Sequence, residues 1–169
     1  METPLTRRQF AALGAIVPLT RLIDSAGVAP EPKLESEFLF DLNIEARVAA
    51  AHVGVPGRER LIAEVSGGTF NGPSLKGTLK GPSGDWIEQR GDGSSMLDVR
   101  LLMETDDRQE IYTTWRGINY TPPGGAQYAR ILPLFETRAS RYDWLNHIVS
   151  VGVYQPSIGR IAYRVFRIL

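Results

Sequence analysis

From Phe38 the chain alternates. In EFLFDLNIEARV, Phe38, Phe40, Leu42, Ile44, Ala46 and Val48 share one parity. Glu37, Asp41, Asn43, Glu45 and Arg47 share the other, with Leu39 the exception. A period of two is that of a half-buried strand, whose successive side chains point to opposite faces. RLIAEVS repeats the pattern with Leu61, Ala63 and Val65. MLDVRLLMET sets Leu97, Val99, Leu101 and Met103 against Asp98, Arg100 and Glu104. In EIYTTWRGI, Tyr112, Thr114 and Arg116 oppose Ile111, Thr113 and Trp115. A strand from Asp85 to Arg90 ends at Gly91-Asp92-Gly93, a hairpin signal. HIVSVGVY and RIAYRVFRIL close the chain as two further strands, joined by a turn through Pro156 to Gly159.

The segments between are read as turns. GGTFNGPSLKGTLKGPSGDW is broken by glycine throughout and leaves no room for a helix. Gly67-Gly68 is taken as a bulge or tight bend, because neither a GK[ST] nor a helix follows to cradle a phosphate. Gly117–Phe135, with Pro122-Pro123-Gly124-Gly125, is long for a loop, and such loops often serve as lids or binding loops. Short strands and short turns predict an all-β fold: a closed antiparallel up-and-down β-barrel of about 7–9 strands. Either the apolar parity fills the barrel and the polar parity faces solvent, or some polar residues line a cavity while the outer apolar face packs on another subunit. A barrel of about eight strands is wide enough to hold one small ligand.

The first thirty residues differ. Arg7 and Arg8 precede a mildly apolar run from Phe10 to Leu19, and small residues follow to Ala26-Gly27-Val28-Ala29-Pro30. This is the pattern of an export signal, and TRRQF resembles the twin-arginine type. The other reading is an N-terminal amphipathic helix, for which Arg21 and Asp24 are more natural. The chain is therefore divided into residues 1–30, a signal or helical extension, and residues 31–169, one β-barrel domain. A signal places the mature protein in the periplasm or outside the cell; without one it is cytoplasmic. The apolar run is too short to span a bilayer, which takes ~20 residues, so no stable membrane insertion is expected after processing.

Composition narrows the chemistry. Formal net charge is zero, which gives no broad field for nucleic acid. There is no cysteine, which excludes disulfides, zinc–thiolate sites, iron–sulfur clusters and thiol nucleophiles. His52 and His147 lie far apart and no metal spacing surrounds them, so neither a metal nor a cofactor is expected.

Four stretches carry a resemblance: SGGTFNGPSLKGTL, GDW, DGSSMLDVRLLMETDDRQEIYTTWRG and FETRASRYDWLNHIVSVG. Together they resemble the domain-of-unknown-function family 3237, also uncharacterised protein family 0311, over roughly Phe38 to the C-terminus. Leu101 stands where that family usually has Tyr after its D-x-R strand, and Asp106-Asp107-Arg108 replaces its Asp-Gly turn. The resemblance implies a closed barrel like that of allene oxide cyclase. Related barrels bind small apolar molecules or guide cyclisation and isomerisation.

Carried over by position, the motif offers Asp98 and Arg100 on one strand, then Glu136, Trp144 and Asn146. Glu136 is either paired with Arg138 or Arg141, or a general acid or base whose pKa is raised by burial. Asn146 is either a turn residue bonding to backbone, or a donor that stabilises an enolate-like charge. Asp98 is the alternative acid or base, Arg100 a binder of an anionic group, Tyr112 a hydroxyl donor and Trp144 a pocket wall. Trp144 and Asn146, two apart, are expected on one pocket-lining face of a strand.

Two functions follow. One is a cofactor-independent isomerase, cyclase or lyase acting by acid–base catalysis on a small carbonyl- or hydroxyl-bearing molecule. The other is a non-catalytic carrier or scavenger of a small hydrophobic ligand. In both the partner is a small molecule, and a homo-oligomer, a dimer first, is expected because closed symmetric dimers are commonest.

Overall fold

The computed structural model describes residues 31, 33–47 and 51–169. The N-terminal signal or helix expected over residues 1–30 lies outside the described residues. Nine strands run in order: β1 (Ser36–Ala46), β2 (Ala51–Val55), β3 (Arg58–Asn71), β4 (Lys76–Arg90), β5 (Ser95–Thr105), β6 (Glu110–Tyr120), β7 (Tyr128–Glu136), β8 (Ser150–Tyr154) and β9 (Ala162–Ile168). A 3-10 helix, Ser140–His147, links β7 to β8. From β2 to β9 each strand pairs antiparallel with the next, and β1 pairs with both β9 and β3. The ring therefore closes on eight strands, with β2 attached to the first part of β3 outside it. No helix among the described residues is long and apolar enough to cross a membrane.

Most of the alternating residues turn inward as their parity requires, but in β1 a register shift between Phe38 and Phe40 buries Leu39 and leaves Phe38 half-buried beside Phe166 and Arg164. At one end of the barrel Phe40 meets Phe70 and Phe135 edge-on, with ring centroids 5.8 and 6.0 Å apart. Leu101, Met103 and Ile111 are buried in the same core, and Leu145 of the 3-10 helix joins it fully buried. Aromatic pairs in this geometry add roughly 0.5–1.5 kcal/mol beyond the area they bury.

Glycine is needed where strands press together. A Cβ on Gly77 would lie 2.0 Å from the Glu104 carbonyl oxygen, so β4 could not approach β5 there with any side chain. Gly68 has φ +144, and the β3–β4 register shifts between Glu64 and Thr69, which makes the Gly67-Gly68 bend a bulge as its sequence suggested. Where the family pattern has Asp-Gly, Arg108 adopts φ +63, a left-handed conformation usually left to glycine.

Two expectations are corrected. The stretch Gly117–Phe135 is not one long loop: β6 continues to Tyr120 and β7 begins at Tyr128. In β7, Ala129, Ile131, Pro133 and Phe135 face in, but Leu132 and Leu134 face out and are more than half exposed, which hid the alternation. Tyr142 to His147 do not enter a strand either. They form the 3-10 helix, where two-residue parity no longer sorts side chains by face.

Candidate functional site

The end of the barrel opposite the Phe cluster is less full. A partly enclosed cavity of about 70 Å³ lies between β1, β3, β4, β5, β6 and the start of β9, walled by Ala63, Val65, Leu97, Val99, Trp115 and Tyr163. Among the described residues its one carboxyl group is Asp85. On β4, Asp85 pairs with Ala63 on one side and Val99 on the other, so it shares their inward face. Trp86 and Glu88 take the outward face. A register shift between Lys80 and Gly84 precedes this part of β4.

Burial dominates the electrostatics of Asp85. It raises the carboxyl from 3.8 to about 6. The backbone N–H of Asp98 donates to Asp85 Oδ1 at 3.2 Å, which pulls the other way, and the charge of Asp98 adds to the rise. A carboxyl group poised near neutrality exchanges protons in both directions, which a general acid or base requires. The Tyr163 hydroxyl is pushed up, first by burial and then by the charges of Asp85 and Tyr154, so it remains a neutral donor. Trp115 is 3% exposed, and its indole N–H has no acceptor.

The residues singled out from sequence lie elsewhere. Asp98 and Arg100 sit on the outer face of β5 and pair with each other at 3.3 Å, while the Arg100 guanidinium lies 5.0 Å from the Trp86 ring centre. Glu136, the last residue of β7, is exposed and faces Tyr112 across the β6–β7 pair. Trp144 is half-buried on the 3-10 helix, with the Arg167 guanidinium 5.9 Å from its ring centre.

Asn146 holds the chain after β7: its Oδ1 accepts from the Thr137 N–H at 2.8 Å, and its Nδ2 donates to the Thr137 carbonyl at 3.0 Å and to Asp143 at 3.1 Å. That is the backbone-bonding role its residue type suggested. Asn146→Ala should cost roughly 1–3 kcal/mol in urea unfolding through these lost bonds. A change below about 0.5 kcal/mol would show that they do not hold the segment.

Glu136, Tyr112 and Asn146 do meet, with Glu104 and Arg108, in a groove of about 820 Å³ on the outer surface. It is larger than the interior cavity but open to water. Its Glu104 is held below the usual carboxylate range, first by Lys80 and then by Arg108. An acid fixed in its ionised form in water has little capacity to move a proton near neutrality. The interior cavity, with its raised carboxyl, is the better candidate.

Sequence reasoning missed Asp85 because a charged residue just after GPSG looks like a strand cap. One signal was present: Asp85 shares parity with Ile87, not with Glu88.

Residues 32–168 match the family described as protein of unknown function (DUF3237). The chain belongs to that family. Among its relatives, it is 27% identical over 142 residues to the hydroalkoxylation enzyme phnH of Penicillium herquei, covering 83% of this chain and 87% of that one. A crystal structure of a protein of unknown function from Clostridium acetobutylicum superposes with TM-score 0.72 at 24% identity, covering 81% of this chain and all of the other. A β-barrel-like protein from Acinetobacter baumannii superposes with TM-score 0.66 at 28% identity, over 83% and 99% of the two chains. The family match thus extends over the whole barrel.

Proposed function

We propose that this family member is a barrel enzyme of the isomerase, cyclase or lyase kind. It acts on a small, partly apolar molecule bearing a carbonyl or hydroxyl group. Asp85 is its general acid and base. The observation that carries this reading is one inward carboxyl, raised to about 6 by burial in an otherwise apolar cavity. Tyr163 supplies a neutral hydroxyl beside it. The Penicillium herquei relative adds support by its name: hydroalkoxylation places an O–H across a carbon–carbon double bond, taking a proton from oxygen and returning one to carbon. Such a step is redox-neutral, and a single carboxyl group that is equally ready to accept and to donate serves both halves.

The test is turnover of unsaturated phenols, alcohols and ketones, read as products of unchanged mass for an isomerase or cyclase and as two smaller products for a lyase. The wild type should show a limb near pH 6 in kcat/KM, and Asp85→Asn should lose roughly 10²–10⁴-fold. Loss in Glu136→Gln with Asp85→Asn still active would move the site to the outer groove. Tight binding of such molecules with no product in any variant would favour the carrier.

A further inference from the structure

Alternation gives every strand two faces, and on β6 and β7 the outer one is not uniformly polar. Tyr112 and Ile118 on β6 are exposed, and Leu132 and Leu134 on β7 are 56% and 53% exposed. Val149, at the entry to β8, is exposed as well. Its neighbour Ser150 donates its hydroxyl to the Pro133 carbonyl at 2.6 Å, which sets Val149 beside the middle of β7. Thr114 lies across from Leu134 and Arg116 across from Leu132, so the strands present one continuous surface. A contiguous apolar patch on a sheet marks an interaction site.

The order of residues along the patch tells what covers it. Outward, β7 reads Arg130, Leu132, Leu134, Glu136. Consider a second copy laid antiparallel over it, turned about a two-fold axis above Pro133. Leu132 then rests on Leu134 of the second copy, and Arg130 on Glu136. The same axis passes over Trp115 of β6 and Val99 of β5, which follow Pro133 in register. On β6 it sets Tyr112 against Ile118; on β5 it sets Leu102 against Met96, and Arg100 against Asp98. Apolar meets apolar, and in both charged pairs a guanidinium meets a carboxylate.

Other registers lose this match. Centred on Leu134, the axis stacks Glu136 on Leu132; centred on Leu132, it stacks Arg130 on Leu134. Either leaves a charge covered by apolar surface, which is costly. Sheets packed face to face keep their strands within about 30° of each other, so the antiparallel stacking is an ordinary one. A two-fold dimer requires a patch that complements itself in this way.

We infer that the outer face of β6 and β7 is the interface of a symmetric homodimer, with Arg130 of each chain paired to Glu136 of the other. The inference goes beyond the catalytic reading and stands apart from it. Asp85 lies on the inner face of β4, so Asp85→Asn should dimerise like the wild type.

Sedimentation velocity of the full chain over a concentration series tests it. The wild type should sediment at twice the chain mass of 18.7 kDa. Leu134→Lys, at an exposed position, should keep the wild-type circular dichroism and sediment as a monomer. Arg130→Glu sets two carboxylates together at each end of the interface, and should weaken association at least about 10-fold; Glu136→Arg should do the same with two guanidiniums. The two positions lie six residues apart on one extended strand, roughly 20 Å, and do not meet within a chain. Combining both exchanges should therefore restore association to within about threefold of the wild type.

A wild type that stays monomeric at high micromolar concentration overturns the inference and leaves the face to a different partner. A dimer that Leu134→Lys leaves intact is built on another face and overturns it too. So does a double exchange as weak as either single one, because Arg130 and Glu136 then do not meet across the axis.

Discussion

Asp85→Asn is expected to stabilise the protein at neutral pH while it abolishes proton transfer. In the unfolded chain Asp85 releases its proton near 3.8; in the barrel it holds that proton to about 6. Below the lower value both states are protonated and the group contributes nothing. Between the two, only the unfolded chain gives up the proton, so stability falls as pH rises. Above about 6 both states are ionised, and the penalty stays constant at about 3 kcal/mol. Asparagine keeps an oxygen for the Asp98 N–H, bonded at 3.2 Å, and carries no charge to desolvate.

Thermal unfolding of wild type and variant between pH 4 and 8 reads this directly. Their melting temperatures should coincide near pH 4 and separate by roughly 6–12 °C at pH 7.5, on a scale of ~2–4 °C per kcal/mol. Other carboxylates titrate in the same range. Asp92 and Asp107 are held low, mainly by Ser94 and Thr105, and lose their contribution as pH falls, but both proteins share that loss. Curves that run parallel from pH 4 to 8 would show that Asp85 is not desolvated. A stability gain that accompanies lost function is the usual sign of a strained catalytic group.

The second large effect lies at the other end. Leu145 is fully buried, yet it comes from a short 3-10 helix rather than from a strand. The helix is tied by Asn146 to Thr137, and by the Tyr142 hydroxyl, which donates to Asp107 at 2.9 Å in the β5–β6 turn. Those bonds fix its backbone, so it cannot settle inward to refill a space left beneath it. Leu145→Ala should therefore leave most of its cavity empty and cost about 2–5 kcal/mol. Against a typical total of 5–15 kcal/mol that is a large share. The urea midpoint should fall with an unchanged slope. A loss under about 1 kcal/mol would mean that the helix does collapse onto the Phe cluster.

The barrel was legible because its strands follow one rule. In MLDVRLLMET the parity of Leu97, Val99, Leu101 and Met103 survives intact in β5, and Trp115 falls inward with Ile111 and Thr113 as the alternation required. Where the rule failed, a second demand was competing. Leu132 and Leu134 put apolar residues on the outer face of β7, and Pro133 argued against a strand. Tyr142 to His147 kept a strand-like composition but obeyed the local hydrogen bonds of a 3-10 helix. The candidate site was harder to read. Motif matching favoured Glu136 and Asn146, residues whose backbone and surface roles are specific enough to look functional. Asp85 is distinguished only by which neighbours surround it, Ala63 and Val99, and that neighbourhood is assembled by strands far apart in sequence.

The seam between β1 and β9 has one more consequence. Ser36 lies across from Ile168, and the Leu169 N–H donates to the Glu35 carbonyl at 3.0 Å. The two ends of the barrel's chain are therefore neighbours, as much in register as any hairpin. The ring has a starting strand in the order of synthesis but none in its architecture: a circular permutant opened at Asp92-Gly93 and sewn across this seam would contain the same strand pairs in the same cyclic order.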